Sequence, residues 1–362
     1  MQTPVIDVNK KPKENKIFLG EFGHFLRVDT VTHEIARKLK EQSEGNFWLP
    51  KVVPFDRDRV NFVHVPGDEQ NAFKYNICYQ NLMDSGVDSG YSTILKKLAS
   101  SSIWSMLYGR IAIEEQIHAE SYSYALNEMF GSKSTEILDL VYTDPFIKTR
   151  MESEVELFAV AEKVLLEPES FTEDEKKKAI LRLLLGVYLL ESVKFPFSFL
   201  VTFTINKFNN SAIQGVARLI RLIAHDELNI HVPTGKNVMN ILRNEEEQEF
   251  SHLFKNGWFN DIAIEMTKEV VQQEIEWARY LLEGKSVRGL NMEISEHFIK
   301  YWAGVRLRDI GVKNIYNEPK SDIIDWFNDV RDINKQNVAL QEAANISYQR
   351  GTLIDDLGDE AW

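Results

Sequence analysis

Glu115-Gln116-Ile117-His118 and Glu227-Leu228-Asn229-Ile230-His231 are the stretches whose reading decides the fold. Each sets a carboxylate and an imidazole within a segment of helical pattern. A helical residue turns about 100°, so residues i and i+3 lie about 60° apart around the axis, and i and i+4 about 40°. Both spacings put the two side chains on one helix face, a turn apart, where they can converge on a single metal ion. One such pair arises often by chance; the second gives the first its weight.

Two further carboxylates join them. Glu191 lies in the most apolar stretch of the chain, residues 179–203, beside Tyr188, Leu189, Leu190, Val193 and Phe195. Asp84 closes an apolar segment that holds Phe73, Ile77, Leu82 and Met83. A buried carboxylate without a partner does not survive as an anion. Lys194, three residues past Glu191, is one partner the sequence offers; a metal is the other. Asp84, Glu115, Glu191 and Glu227 carry four negative charges, two divalent cations balance them, and two neutral imidazoles complete the set. Glu114 and His225 are set outside it. Helical bundles with di-iron or di-manganese centres use this arrangement, with single carboxylates from two helices and Glu/His pairs from two more. Carboxylate and imidazole ligands suit iron and manganese. The expected fold is therefore all-α, a ferritin-like helical bundle with a dinuclear metal site in its core.

Outward from the site, periodicity predicts helices over 32–43, 71–84, 101–130, 146–165, 211–229, 238–242, 249–282 and 295–307. Gly86 and Gly90 are read as punctuation after the second of these. Thr143-Asp144-Pro145 marks a break or a helix start. Thr172 and Glu175 form a capping box that opens a long helix through about residue 206. Three regions are expected: a loose N-terminal segment over 1–28, the helical domain over 29–334, and a polar, acidic C-terminal tail over 335–362.

Composition narrows the function. The 362 residues are 44% hydrophobic with a formal net charge of -13. An acidic chain repels phosphates, which argues against a nucleic-acid binder. Cys78 is the single cysteine, which excludes an internal disulfide and fits a reducing compartment, so a cytoplasmic location is expected. The lysine-rich N-terminus has no apolar signal core. Residues 179–203 are long enough to raise the membrane question. Arg182, Glu191, Lys194 and Pro196 within them favour a buried core helix, and no membrane is expected.

Several segments, in shared order, resemble the small, radical-generating subunit of class I ribonucleotide reductase. They are Phe47-Trp48-Leu49-Pro50, Tyr79-Gln80-Asn81-Leu82-Met83-Asp84-Ser85, Glu115 through Tyr122, Glu191-Ser192-Val193-Lys194-Phe195, and Leu219 through Glu227. The resemblance implies that Asp84, Glu115 and His118 bind one metal ion and Glu191, Glu227 and His231 the other, with Glu115 and Glu227 bridging. It implies that Tyr122 is oxidised to a stable radical, in an apolar pocket formed by Phe195, Phe199 and Ile223. It also implies a relay through His118, Asp226 and Trp48 to Tyr348 in the tail, and from there to a cysteine of a large subunit on which the tail docks. A homodimer is expected. Iron is the expected metal, with di-manganese and mixed manganese–iron as alternatives, and an activating flavoprotein is a further partner that some such subunits use.

Two departures bear on structure. The second pair carries one residue more than the usual Glu-x-x-His, which a helix absorbs as a π-bulge. Pro196 and Pro233 each remove a backbone donor beside a ligand candidate, so a widened or kinked helix is expected between about 192 and 196. Two rival functions share the fold: a stand-alone di-metal oxidase or oxygenase, and a metal-storage protein. The oxidase has no need of Tyr348 or a docking tail, and the storage protein has no need of Tyr122 or of the relay from Trp48 to Asp226.

Overall fold

The structure, a computed structural model, describes residues 16–20, 25–27, 29, 33–244 and 250–336. Most of the expected N-terminal segment and the tail from 337 onward, with Tyr348, lie outside the described residues. The described chain is helical throughout, with a single isolated antiparallel bridge between Phe18 and Ala99.

We number the principal helices α1 to α9. Helix α1 is Glu34–Gly45; α2 is Gly67–Ser89, continuing through a π-helical turn, Gly90–Leu95, into Lys96–Leu98. Helix α3 is Ser102–Phe130 and α4 is Glu152–Leu166. Helix α5 runs through Glu173–Leu189, a π turn at Leu190–Lys194, and Phe195–Phe208. Helix α6 runs through Gln214–Asp226, a π turn at Glu227–His231, and Val232–Asn244. Helices α7, Trp258–Leu282, α8, Met292–Asp309, and α9, Asp322–Arg331, follow.

Helices α2, α3, α5 and α6 form the inner bundle, and the π turns of α5 and α6 touch each other. Helices α4, α7 and α8 pack on the outer side of α5, and α1 lies across α3 and α6. The middle of helix α5 is thus enclosed on all sides, which is why it is largely apolar there. Its most apolar window is long enough to cross a membrane but is wholly buried within the protein. The capping box is present: the Thr172 hydroxyl accepts from the Glu175 N–H, and the Glu175 carboxylate accepts from the Thr172 N–H at 2.8 Å.

The helix expected over 71–84 does not stop at its glycines. A Cβ on Gly86 would lie 2.9 Å from Met151 Cε, and one on Gly90 would lie 2.9 Å from the Phe158 ring. These glycines let α2 approach α4 closely and do not end the helix. Asp84 consequently sits inside α2. The helix expected over 146–165 is instead two. Asp144 caps Pro145–Thr149 by accepting from the Ile147 N–H at 3.0 Å, and the break before α4 turns Arg150 into the core. There its guanidinium stacks 3.4 Å from the Tyr79 ring centre and pairs with Glu274. Gly257, at φ 87°, separates the short helix Ser251–Lys255 from α7 within the span expected as one helix. The two segments expected over 211–229 and 238–242 are joined as α6.

The widened turns lie where the departures pointed. Each proline is the second residue after a π turn: Pro196 follows Leu190–Lys194 and Pro233 follows Glu227–His231. A proline cannot return a hydrogen bond to the carbonyl four residues back. The carbonyl that Pro196 leaves, Ser192 O, accepts from Arg306 Nε at 3.4 Å.

Candidate metal centre

All six expected ligand side chains meet at one buried place. Asp84 comes from the middle of α2, Glu115 and His118 from α3, Glu191 from the π turn of α5, and Glu227 and His231 from that of α6. The six are at most 1% exposed. Two groups have potential ligand atoms within 4.8 Å of one another: Asp84, Glu115, His118 and Glu227, and Glu115, Glu191, Glu227 and His231. Glu115 and Glu227 belong to both. The π turn resolves the inserted residue of the second pair, because it brings His231 Nδ1 to 2.8 Å from Glu227 Oε2.

The donor atoms fit a pair of cations. His118 Nδ1 lies 3.0 Å from Glu227 Oε1 and 3.8 Å from Glu115 Oε2; His231 Nδ1 lies 3.0 Å from Glu115 Oε1 and 3.8 Å from Glu191 Oε1. Yet both Nδ1 atoms and all oxygens of Asp84, Glu115, Glu191 and Glu227 lack a hydrogen-bond partner. Short separations without hydrogen-bond geometry mark atoms aimed at common points between them. Buried polar atoms are otherwise almost always paired. Burial, and then the neighbouring carboxylates, push Asp84 and Glu191 well above the ordinary carboxylate range. Burial also pushes Glu227 up, but His231, Glu191 and His118 outweigh it and hold the group low. Four such carboxylates need compensating positive charge to stay ionised together. Lys194 does not supply it, because its ammonium pairs with Glu154 and donates to Arg150 O at 3.1 Å.

Each histidine turns its other nitrogen outward to a carboxylate. His118 Nε2 lies 3.2 Å from Asp226 Oδ2, which also accepts from Trp48 Nε1 at 2.7 Å. The Trp48 and His118 rings stack with centres 6.0 Å apart. His231 Nε2 lies 3.0 Å from Glu114 Oε2. Glu114 in turn accepts from Ser43 Oγ at 2.6 Å and has Arg110 Nη2 at 3.7 Å. Glu114, expected to lie outside the site, is thus a direct neighbour of His231. The available signal was a second acidic residue in the middle of an apolar helix, four residues after Arg110. His225 lies at the edge, with its ring 3.4 Å from Asn46 Nδ2.

Tyr122 is fully buried one turn past His118, and its hydroxyl has no hydrogen-bond partner. Burial, and then the Asp84 and Glu227 carboxylates, hold its phenol well above the ordinary range. Phe195, Phe199 and Ile223 are fully buried, and the two phenylalanines stack with ring centres 5.5 Å apart.

A helical bundle that converges buried carboxylates and histidines on paired cation positions is a di-metal protein. The sequence profile of the ribonucleotide reductase small chain matches residues 27–322. The ribonucleoside-diphosphate reductase subunit beta of Buchnera aphidicola subsp. Baizongia pistaciae is 28% identical, over 96% of this chain and 96% of its own length. The ribonucleotide reductase R2 subunit of Clostridium botulinum superposes with a TM-score of 0.81 at 23% identity, covering 92% of this chain and 99% of that one. The dimanganese(II) NrdF protein of Streptococcus sanguinis does so with a TM-score of 0.66 at 20% identity, covering 83% and 98%. The chain belongs to the ribonucleotide reductase small-chain family. Its function is that of the small subunit of a ribonucleoside-diphosphate reductase, an oxidoreductase that also requires a large subunit. Neither the stand-alone oxidase nor the storage protein is favoured.

Proposed function

We propose that the chain generates and stores the radical its large subunit uses, with Asp84, Glu115 and His118 holding one metal ion, Glu191, Glu227 and His231 the other, and Glu115 and Glu227 bridging. The observation that carries this reading is the convergence of unpaired carboxylate oxygens and Nδ1 atoms beside a buried, unpaired Tyr122 hydroxyl. When bound, the metal pair, iron by this reading, supplies with oxygen the oxidising power to remove one electron from Tyr122. Tyr122 loses its phenolic proton as well, and Asp84 is the carboxylate whose charge acts most strongly on that phenol. Phe195, Phe199 and Ile223 keep water and reductants from the radical.

The line Trp48–Asp226–His118 supports a role for these residues in transfer. Asp226 Oδ2 accepts from both rings, so it can hold the indole proton while the electron moves. Tyr348 continues the relay in the tail, which docks on the large subunit. We further propose a cytoplasmic homodimer that acts without nucleic acid or membrane, with an activating flavoprotein as a further partner.

Metal analysis with electron paramagnetic resonance tests the reading after aerobic loading with iron, manganese, or both. Two metals per chain and a tyrosyl signal that Tyr122→Phe abolishes are expected; an identical signal in that variant removes Tyr122 from its role. Deletion of residues 340–362 is expected to abolish nucleotide reduction and leave metal binding intact. Reduction that survives the deletion defeats the relay.

A further inference from the structure

Three π turns interrupt the inner bundle, and only two of them carry ligand candidates. The third, Gly90–Leu95 in α2, carries Tyr91. This residue is 2% exposed, and its ring centre lies 6.3 Å from that of His231. Tyr108 of α3 follows at 5.8 Å from Tyr91, and Trp104 at 6.0 Å from Tyr108. Tyr108 and Trp104 are fully buried. The Trp104 indole donates to Nδ1 of half-buried His33, at the start of α1, at 3.1 Å. An unbroken file of oxidisable rings therefore leads from the His231 end of the centre to the surface. It avoids the Trp48–Asp226–His118 line altogether.

Packing alone does not account for the Tyr108 hydroxyl in this file. The Tyr108 hydroxyl is buried without a hydrogen-bond partner, and a phenylalanine would fill the same space without stranding a polar group. The far end has the chemistry of the relay: an indole N–H aimed at a base, here an imidazole whose pKa burial lowers, so that it is neutral and accepts. A small cavity of about 10 Å³ is lined by Tyr91, Tyr108 and His231. That is room for roughly one water, which can hold a phenolic proton.

We propose that Tyr91, Tyr108 and Trp104 form a second electron route, running from the surface at His33 to the His231 end of the metal centre, by which a soluble one-electron donor discharges an oxidising equivalent that the large subunit has not consumed. Electrons move inward one at a time. Tyr91 gives one electron towards the centre and its phenolic proton to the water that the cavity has room for, and takes that proton back as an electron from Tyr108 restores it. Tyr108 is restored in the same way from Trp104, whose indole proton passes to His33 Nδ1. The donor returns one electron to Trp104, and His33 returns the proton. In sum the donor is oxidised by one electron, the centre loses one oxidising equivalent, and one proton enters from solvent to balance the charge.

The route rests on the stored equivalent proposed above, and one experiment separates the two. The full chain is loaded with iron and oxygen, ascorbate is added without the large subunit, and resonance spectroscopy follows loss of the stored signal. Tyr108→Phe keeps the ring and removes the oxidisable phenol, and metal content checks that the centre is intact. Its signal, and that of Trp104→Phe, should decay at roughly one-tenth the rate of the unmodified protein or slower. Nucleotide reduction with the large subunit should be unchanged in Tyr108→Phe. Decay of Tyr108→Phe at the unmodified rate overturns the route, as does an equal slowing in Trp48→Phe, which assigns the discharge to the relay. An unmodified protein that stores no equivalent overturns both readings.

Discussion

The two histidines of the centre are near mirror images at their inner nitrogens and differ at their outer ones. His118 and His231 each place Nδ1 among the carboxylates and turn Nε2 to a buried acid, Asp226 or Glu114. Asp226 then takes an indole proton donor, Trp48, whereas Glu114 takes a serine and approaches an arginine, Ser43 and Arg110. An acid that faces an indole can exchange a proton as the indole is oxidised and reduced. An acid held by a guanidinium and a hydroxyl is kept in place. The same outer carboxylate thus serves transfer on one side and orientation on the other.

The sharpest break of this comparison is Asp226→Asn. The amide oxygen can still accept from Trp48 and His118, so the geometry survives while the proton acceptor is lost. Nucleotide reduction with the large subunit should fall by about 100-fold or more, within the range for losing a proton acceptor. Metal content and the stored signal should stay near those of the unmodified protein. Reduction within a few-fold of normal would mean that Asp226 only orients His118, as Glu114 orients His231.

Glu114→Gln is the matching change on the other arm. Outer partners of metal-binding histidines typically contribute 10–100-fold in affinity or activity. Metal affinity, titrated at equilibrium, should weaken by about tenfold, with turnover preserved once metal is saturating. Turnover that stays low at saturating metal would give Glu114 a share in transfer and erase the distinction.

How much of this was legible in the sequence follows the range of each interaction. The capping box of Thr172 and Glu175 spans three residues and was readable. The beginning of α6 depends on Asp58, whose carboxylate accepts from the Gly215 and Val216 N–H groups, each at 2.9 Å. No local pattern announces a cap that arrives from 157 residues away. The meeting of the six expected ligand side chains at one buried place was legible because the Glu/His pairs repeat at helical spacing and buried charge must balance. The π turns were partly so, since Pro196 and Pro233 mark the missing donors. Gly86 and Gly90 depart from their expected role because a glycine that ends a helix and one that admits a neighbour look alike until Met151 and Phe158 are in place. Glu114 escapes a local reading for a similar reason: it stands beside a ligand candidate of the same type, and its own partner, His231, lies 117 residues on.

The smallest effect is expected from Ser43→Ala, at the outer end of the His231 arm. Ser43 Oγ donates to Glu114 Oε1 and accepts from Arg110 Nε at 2.8 Å, so it joins the acid to the cation. Its removal leaves a buried carboxylate oxygen and a guanidinium nitrogen without that partner, which costs about 1–3 kcal/mol of folding stability. Arg110 Nη2 is already 3.7 Å from Glu114, and a small shift would let the guanidinium take over the hydroxyl's contact. The loss should therefore fall at the lower end of that range by urea unfolding, with metal affinity less affected than in Glu114→Gln. Affinity that falls as far as in Glu114→Gln would show that the hydroxyl, and not the charge of Arg110, holds Glu114 against His231.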